Sequence, residues 1–145
     1  MKNAFCTTVG TVGTIIAGWF GGWDASLSTL LIFMAIDYVT GFIVAAVFNR
    51  SPKTENGKLE SKAGFKGLSK KLMVLFFVLI GYRLDIAMGA SYIRDGVCIA
   101  FMLNELISIT ENAELMGVPL PKVITKAISI LKQKEDKEEK ENDNH

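Results

Sequence analysis

The chain has 145 residues, half of them apolar, and a formal net charge of +1 at pH 7, with a mean hydropathy of +0.31. That hydropathy is high for a soluble domain, and the charge is segregated. No Lys or Arg lies between Phe5 and Arg50, seven lie from Arg50 to Lys71 and six in the last two dozen residues, a pattern that marks membrane proteins and argues against a nucleic-acid binder.

The start, "MKNAFCTTVG", has one lysine before an apolar stretch but no Ala-x-Ala-like cleavage site, so the N-terminus is expected to remain in the mature protein. The first candidate span covers residues 5–20, about 24 Å as a helix. Gly10, Thr14, Gly18 and Gly22 fall four apart, as do Gly13, Ala17 and Gly21. Such small-residue rows permit close helix packing in lipid. The alternative is a flexible or interfacial segment, because Gly lowers helix stability. "GGWD" reads as a turn, with Trp19 and Trp23 at interfacial depth.

Residues 27–48 form the strongest candidate span, about 33 Å of helix, which matches a bilayer core. The hydrophilic connection 50–71 follows, with Lys62, Lys66, Lys70 and Lys71 among its basic residues, and by the positive-inside rule it faces the cytoplasm. Its basic residues set topology, and they could also attract anionic lipid, each by about 1 kcal/mol. The third span, 72–88, is interrupted by Arg83 and Asp85, and a short outer turn covers 89–95. The fourth, 96–112, contains Asn104 and Glu105; Pro119 and Pro121 bar any continuation of the helix.

In the segment 113–132, Ile124, Ala127, Ile128 and Leu131 recur at the period of an amphipathic helix, flanked by Lys122, Lys126 and Lys132. That suits a helix on the inner membrane face. Residues 133–145 are a mixed-charge, disorder-prone tail. The expected fold is an all-α integral membrane protein with three to four transmembrane helices in residues 1–112. Four is preferred, because the basic loop and tail must share a side and Lys2 is the only charge at the N-terminal end.

A carboxylate at mid-bilayer costs about 2.5–3.5 kcal/mol on insertion scales, so Asp37 needs a partner or a wet face. Thr40, Gly41 and Ala45 share its helix face. One reading is interhelical glue of modest strength. Depth counting suggests more: Asp37 and Glu105 each lie ten residues in from the outer end of their spans, and Arg83 lies twelve from Lys71. The expectation is a cluster in which Arg83 is shared by Asp37 and Glu105, with Asn104 beside them. The alternative for Arg83 is snorkelling to the outer headgroups. Asn104, Ser108 and Glu111 or Asn112 make a further polar stripe, which can pack in a monomer or line water in an assembly.

Cys6 and Cys98 are isolated, the only histidine is His145, and no nucleophile–base set or phosphate loop is present. No metal, cofactor or enzymatic activity is expected. Three segments in order, "DYVTG" (37–41), "SKAGFKGLSKK" (61–71) and "NELISITENAELMGVPLP" (104–121), resemble a family of small phage lysis and toxin-release holins. The resemblance runs from about Trp23 to Leu131. It implies a homo-oligomer in the bacterial cytoplasmic membrane that opens lesions for a cell-wall hydrolase (endolysin) or an exported toxin. It gives Asp37, Thr40, Gly41, Lys62, Gly64, Gly67, Lys70, Lys71, Asn104, Glu105, Glu111 and Asn112 structural or gating weight and no catalytic role. The competing expectations are a small channel or transporter with Asp37, Arg83 and Glu105 as its polar path, or an accessory subunit of a larger membrane machine.

Overall fold

A computed structural model of the chain describes residues 1–143. Among these residues there are five α-helices and no strand: α1 (Lys2–Trp19), α2 (Ala25–Ile43), α3 (Ser61–Met88), α4 (Ile93–Leu115) and α5 (Lys122–Asp143). A π-helical turn, Val44–Phe48, extends α2.

Asp24 starts α2: its backbone is extended and its carboxylate accepts the Leu27 N–H at 2.9 Å, which satisfies one of the orphan donors of the first turn. Asn49, in the left-handed region at φ 52°, ends the π turn. Ala25–Phe48 has a mean hydropathy of 2.3 and is the one helix among the described residues long and apolar enough to cross a membrane.

Helix α3 is longer than the expected span 72–88. It begins at Ser61, so the basic run through Lys71 is helical and the connection shrinks to residues 49–60. Ala63, Lys66, Leu68, Lys70 and Lys71 are good helix formers, and Tyr38 of α2, which contacts Gly64 and Gly67, adds the tertiary support that a stretch with two glycines needs. At its 28 residues, α3 is about 42 Å long. Helix α5 likewise continues through most of the expected charged tail. Lys, Glu and Gln favour helix as readily as they favour solvation. Asn144 and His145, at the end of that tail, lie outside the described residues.

Helix α4 is the spine. It packs extensively on α2 and α3 and also on α5, whereas α2 and α3 meet each other only sparsely. Leu27, Leu30 and Met34 of α2, Val78 of α3, and Cys98 and Met102 of α4 form the buried core. Gly81 allows α3 to come this close: a Cβ there would stand 3.1 Å from the Arg94 Cα. On α5, Ile124, Ala127, Ile128 and Leu131 are the half-buried apolar positions, as their spacing indicates.

The outward faces of α2 and of the second half of α3 are largely apolar. Ile32, Val39 and Phe42 on α2, and Phe76, Ile80 and Leu84 on α3, are all more than 40% exposed. In water such contiguous apolar surface would be a liability; facing lipid it is the required surface. Helix α1 buries no residue, and a Cβ at Gly10, Gly13 or Gly18 would meet nothing within 4 Å. The row Gly10, Thr14, Gly18, Gly22 therefore packs against nothing among the described residues, and Gly22 lies past the helix end at φ 97°. Thr7, Thr8, Thr11 and Thr14 each donate to the carbonyl four residues back at 2.8–2.9 Å, so their hydroxyls need no outside partner.

Gly81→Ala should destabilise the bundle by about 1–3 kcal/mol, because the Arg94 backbone has little room to give. Gly10→Ala should cost the bundle nothing. Denaturant midpoints of the two variants in detergent check the contrast.

Candidate functional site

The interior polar site is built from one side chain on each of three helices. Lys71 Nζ of α3 lies 2.7 Å from Asp37 Oδ2 of α2 and 2.5 Å from Glu105 Oε2 of α4. The lysine side chain is 13% exposed and each carboxylate 6%. Two carboxylates and one ammonium leave the triad with a formal charge of −1. Burial of three charges is tolerable only because each carboxylate shares the ammonium and further hydrogen bonds fill the remaining valences.

Asn112 supplies those bonds. Seven residues after Glu105, it sits two turns along the same face of α4. Its Nδ2 donates to Asp37 Oδ1 at 3.1 Å, to the Asp37 carbonyl at 3.3 Å and to Thr40 Oγ1 at 2.9 Å. The Thr40 hydroxyl in turn donates to the Ile36 carbonyl at 2.8 Å. Gly41 lies beside this network, with its missing Cβ 3.8 Å from Asn112 Nδ2. Among the described residues, no buried side-chain N or O lacks a partner.

The expected cluster is thus corrected in one member. Asp37, Thr40 and Glu105 come together, but Lys71 takes the place assigned to Arg83. Arg83 is exposed and lies twelve residues beyond Lys71, about 18 Å along α3. The depth count took Lys71 as the inner end of the helix, whereas α3 starts ten residues earlier, at Ser61. Asn104 is exposed and lines a cleft beside the triad. Glu111 is exposed, and Lys62, Lys66 and Lys70 are exposed on the first turns of α3, in a helix where a loop was expected. Gly64 and Gly67 face Tyr38, whose hydroxyl donates to the Gly64 carbonyl at 3.4 Å.

A second polar cluster closes the other end of the bundle. Arg94 grips Asp24 with two bonds, Nη1 to Oδ2 at 2.7 Å and Nη2 to Oδ1 at 3.1 Å, and its Nε donates to the Phe20 carbonyl at 2.5 Å. Asp85, at the end of α3, accepts the backbone N–H groups of Tyr92, Ile93 and Arg94 at 2.9–3.2 Å, and so caps the first turn of α4. Reading Asp24 as an N-cap before an apolar run was open to sequence inspection. The Arg94 clamp was not, since it requires the α1–α2 and α3–α4 turns to be neighbours. The Arg94 guanidinium holds the Asp24 carboxyl below its usual range, against a smaller upward push from burial.

An apolar-surfaced helical bundle with charged groups paired inside and capped at the turns is the arrangement of a helical membrane protein. The match to known families is specific. Residues 14–133 match the model of the bacteriophage holin family, and the chain belongs to that family. An uncharacterized protein of Listeria monocytogenes is 34% identical over 132 residues, which cover 90% of this chain and 89% of its own. An uncharacterized 14.9 kDa protein from the nagH 3′ region of Clostridium perfringens is 33% identical over 126 residues, 86% and 89% of the two chains. A Bacillus phage phi105 protein named "Probable holin" is 27% identical over 118 residues, 81% and 82% of the two chains. No solved structure matches the chain.

Lys71→Met should cost about 3–5 kcal/mol, because it leaves two carboxylates buried and unpaired. Adding Asp37→Asn and Glu105→Gln should recover most of that loss, and unfolding midpoints of the single and triple variants measure the recovery. At the capped end, Asp24→Asn keeps the N-cap and removes the charge. Since the folded pKa of Asp24 is depressed, the ionic stabilisation is full above the unfolded value of about 3.9 and fades as pH falls through the folded one. Wild type should therefore exceed Asp24→Asn in thermal stability at pH 6, with the gap closing at lower pH.

Proposed function

We propose that the chain is a holin that self-assembles in the bacterial cytoplasmic membrane and opens lesions through which a cell-wall hydrolase or a toxin leaves the cell. The observation that carries this reading is the family match across residues 14–133, joined by the phage relative named a probable holin. In the proposed arrangement α1 to α4 cross the membrane, and the basic start of α3 and the C-terminal helix face the cytoplasm.

Two features support this reading. The charged side chains of α3 and α4 at mid-length, Lys71 and Glu105, are turned toward each other and Asp37, so two helices of modest hydropathy can still present apolar faces to lipid. Helix α1 leaves its small-residue row without a partner in the chain, and a neighbouring copy is the natural occupant in a homo-oligomer.

The test is inducible expression in a bacterium with and without a co-expressed endolysin lacking its own export signal. Abrupt loss of membrane potential after a delay, and lysis only when both proteins are present, are expected. Crosslinking in isolated membranes should yield a ladder of homo-oligomers. Harmless expression, or selective ion flux without lysis, would overturn the holin reading in favour of a channel.

A further inference from the structure

We propose that the cleft between α2 and α3 is a binding site for the phosphate headgroup of one anionic phospholipid. The cleft exists because both helices lean on α4 and scarcely touch each other. It encloses about 410 Å³, within the usual range for small-molecule pockets of roughly 300–1,000 Å³.

Its lining is graded. Asn104, Glu105 and Ser108 of α4 form the floor, while Tyr38 and Phe42 of α2 face Val74 of α3 across apolar walls. Lys53, Lys66 and Lys70 stand around it with a single acid, Glu60. None of these four makes an ion pair among the described residues, in contrast to Lys71 with its two carboxylates. Lys53 Nζ stands deeper, 3.9 Å from the Cβ position of Gly41 beside the Asp37–Asn112 network, so the rim proper is Lys66 and Lys70 against Glu60, formally +1. The floor holds the triad at −1, so an anion is drawn to the lysines and repelled from the bottom.

Geometry narrows the ligand class. Gly64 and Gly67 present bare backbone toward Tyr38, with their missing Cβ positions 3.5 Å from its Oη and 3.9 Å from its Cε2. On this part of the α3 wall no side chain projects from either glycine, and Tyr38 lies against the backbone with its hydroxyl on the Gly64 carbonyl, beside a cationic rim. A soluble anion would gain nothing from Phe42, Tyr38 and Val74. A molecule with a phosphate at one end and a hydrocarbon chain at the other satisfies both parts of the lining. At the rim, a zwitterionic headgroup would add a cation beside Lys66 and Lys70, with only Glu60 to offset it. The assignment rests on placement in a membrane but not on lesion formation, so a binding measurement and the lysis assay can fail independently.

The full-length protein, purified in detergent, is titrated with phosphatidylglycerol or phosphatidylcholine, and retained lipid is read by native mass spectrometry. One phosphatidylglycerol per chain is expected, held at least about tenfold more tightly than phosphatidylcholine. Lys66→Ala and Lys70→Ala should each weaken retention about fivefold. Ala63→Leu and Gly67→Leu keep every charge and narrow the cleft, and at least one that retains wild-type helicity should lose the bound lipid. Lysine variants that lose lipid while folded cleft-filling variants retain it would show diffuse surface attraction and overturn the site. Equal retention of the two lipids would overturn it as well. Displacement by millimolar inorganic phosphate at wild-type affinity would make the free anion the ligand and overturn the lipid assignment.

Discussion

One ammonium held between two carboxylates determines how three helices of this chain meet. In lipid, apolar side chains gain little by touching each other rather than the hydrocarbon around them, so apolar packing alone discriminates poorly between helix registers. A buried charge discriminates strongly. Lys71, Asp37 and Glu105 are each costly by themselves, and only one alignment of α2, α3 and α4 brings the three together. Asn112 and Thr40 then refine the α2–α4 alignment by hydrogen bonds that no other register would supply.

The same logic operates at the opposite end of the bundle, where Arg94 joins the start of α2 to the start of α4. Arg94 and Glu105 are eleven residues apart, about 16 Å along the spine helix. Between them lie Cys98 and Met102, which meet Leu30, Met34 and Val78 in the core. The bundle is layered along its axis as polar clamp, apolar fill, polar clamp. The fill excludes water from both clamps, and the clamps set the positions at which the fill interlocks.

Much of this was open to inspection in the sequence, and the exceptions have physical causes. Asp37 and Glu105 stand out because each is an isolated carboxylate in an apolar run, and the small polar face of Thr40 and Gly41 follows from helical period. Their cation was misassigned because Gly64, Gly67 and the serines of 61–71 read as loop punctuation. That displaced the inner end of α3 by ten residues, from Ser61 to Lys71, so Arg83 seemed to lie at the depth that Lys71 occupies. This glycine-bearing basic stretch is held by Tyr38 of α2 at Gly64 and Gly67 and by the Lys71 ion pairs at its end, which is tertiary information. The charged run after Leu131 misled in the same way: its composition suits both a solvated coil and a helix. The Arg94 clamp depends on two turns far apart in sequence lying side by side, and local pattern carries no trace of that.

Helix α1 is in a different position from the rest. Among the described residues it joins the bundle through the turn at its end, where Phe20 and Asp24 are held by Arg94 and Gly21 lies against the Tyr82 ring; none of its own side chains is buried. About 27 Å of helix thus has its anchorage specified by the fold and its flank specified by nothing in the chain. Its four threonine hydroxyls are already satisfied, so it asks no polar contact of any neighbour. Thermodynamically, α1 is a coordinate that folding leaves unspent. The core forms without any residue of α1, so whatever comes to lie along its flank, lipid or a second copy, finds no competing contact from the core.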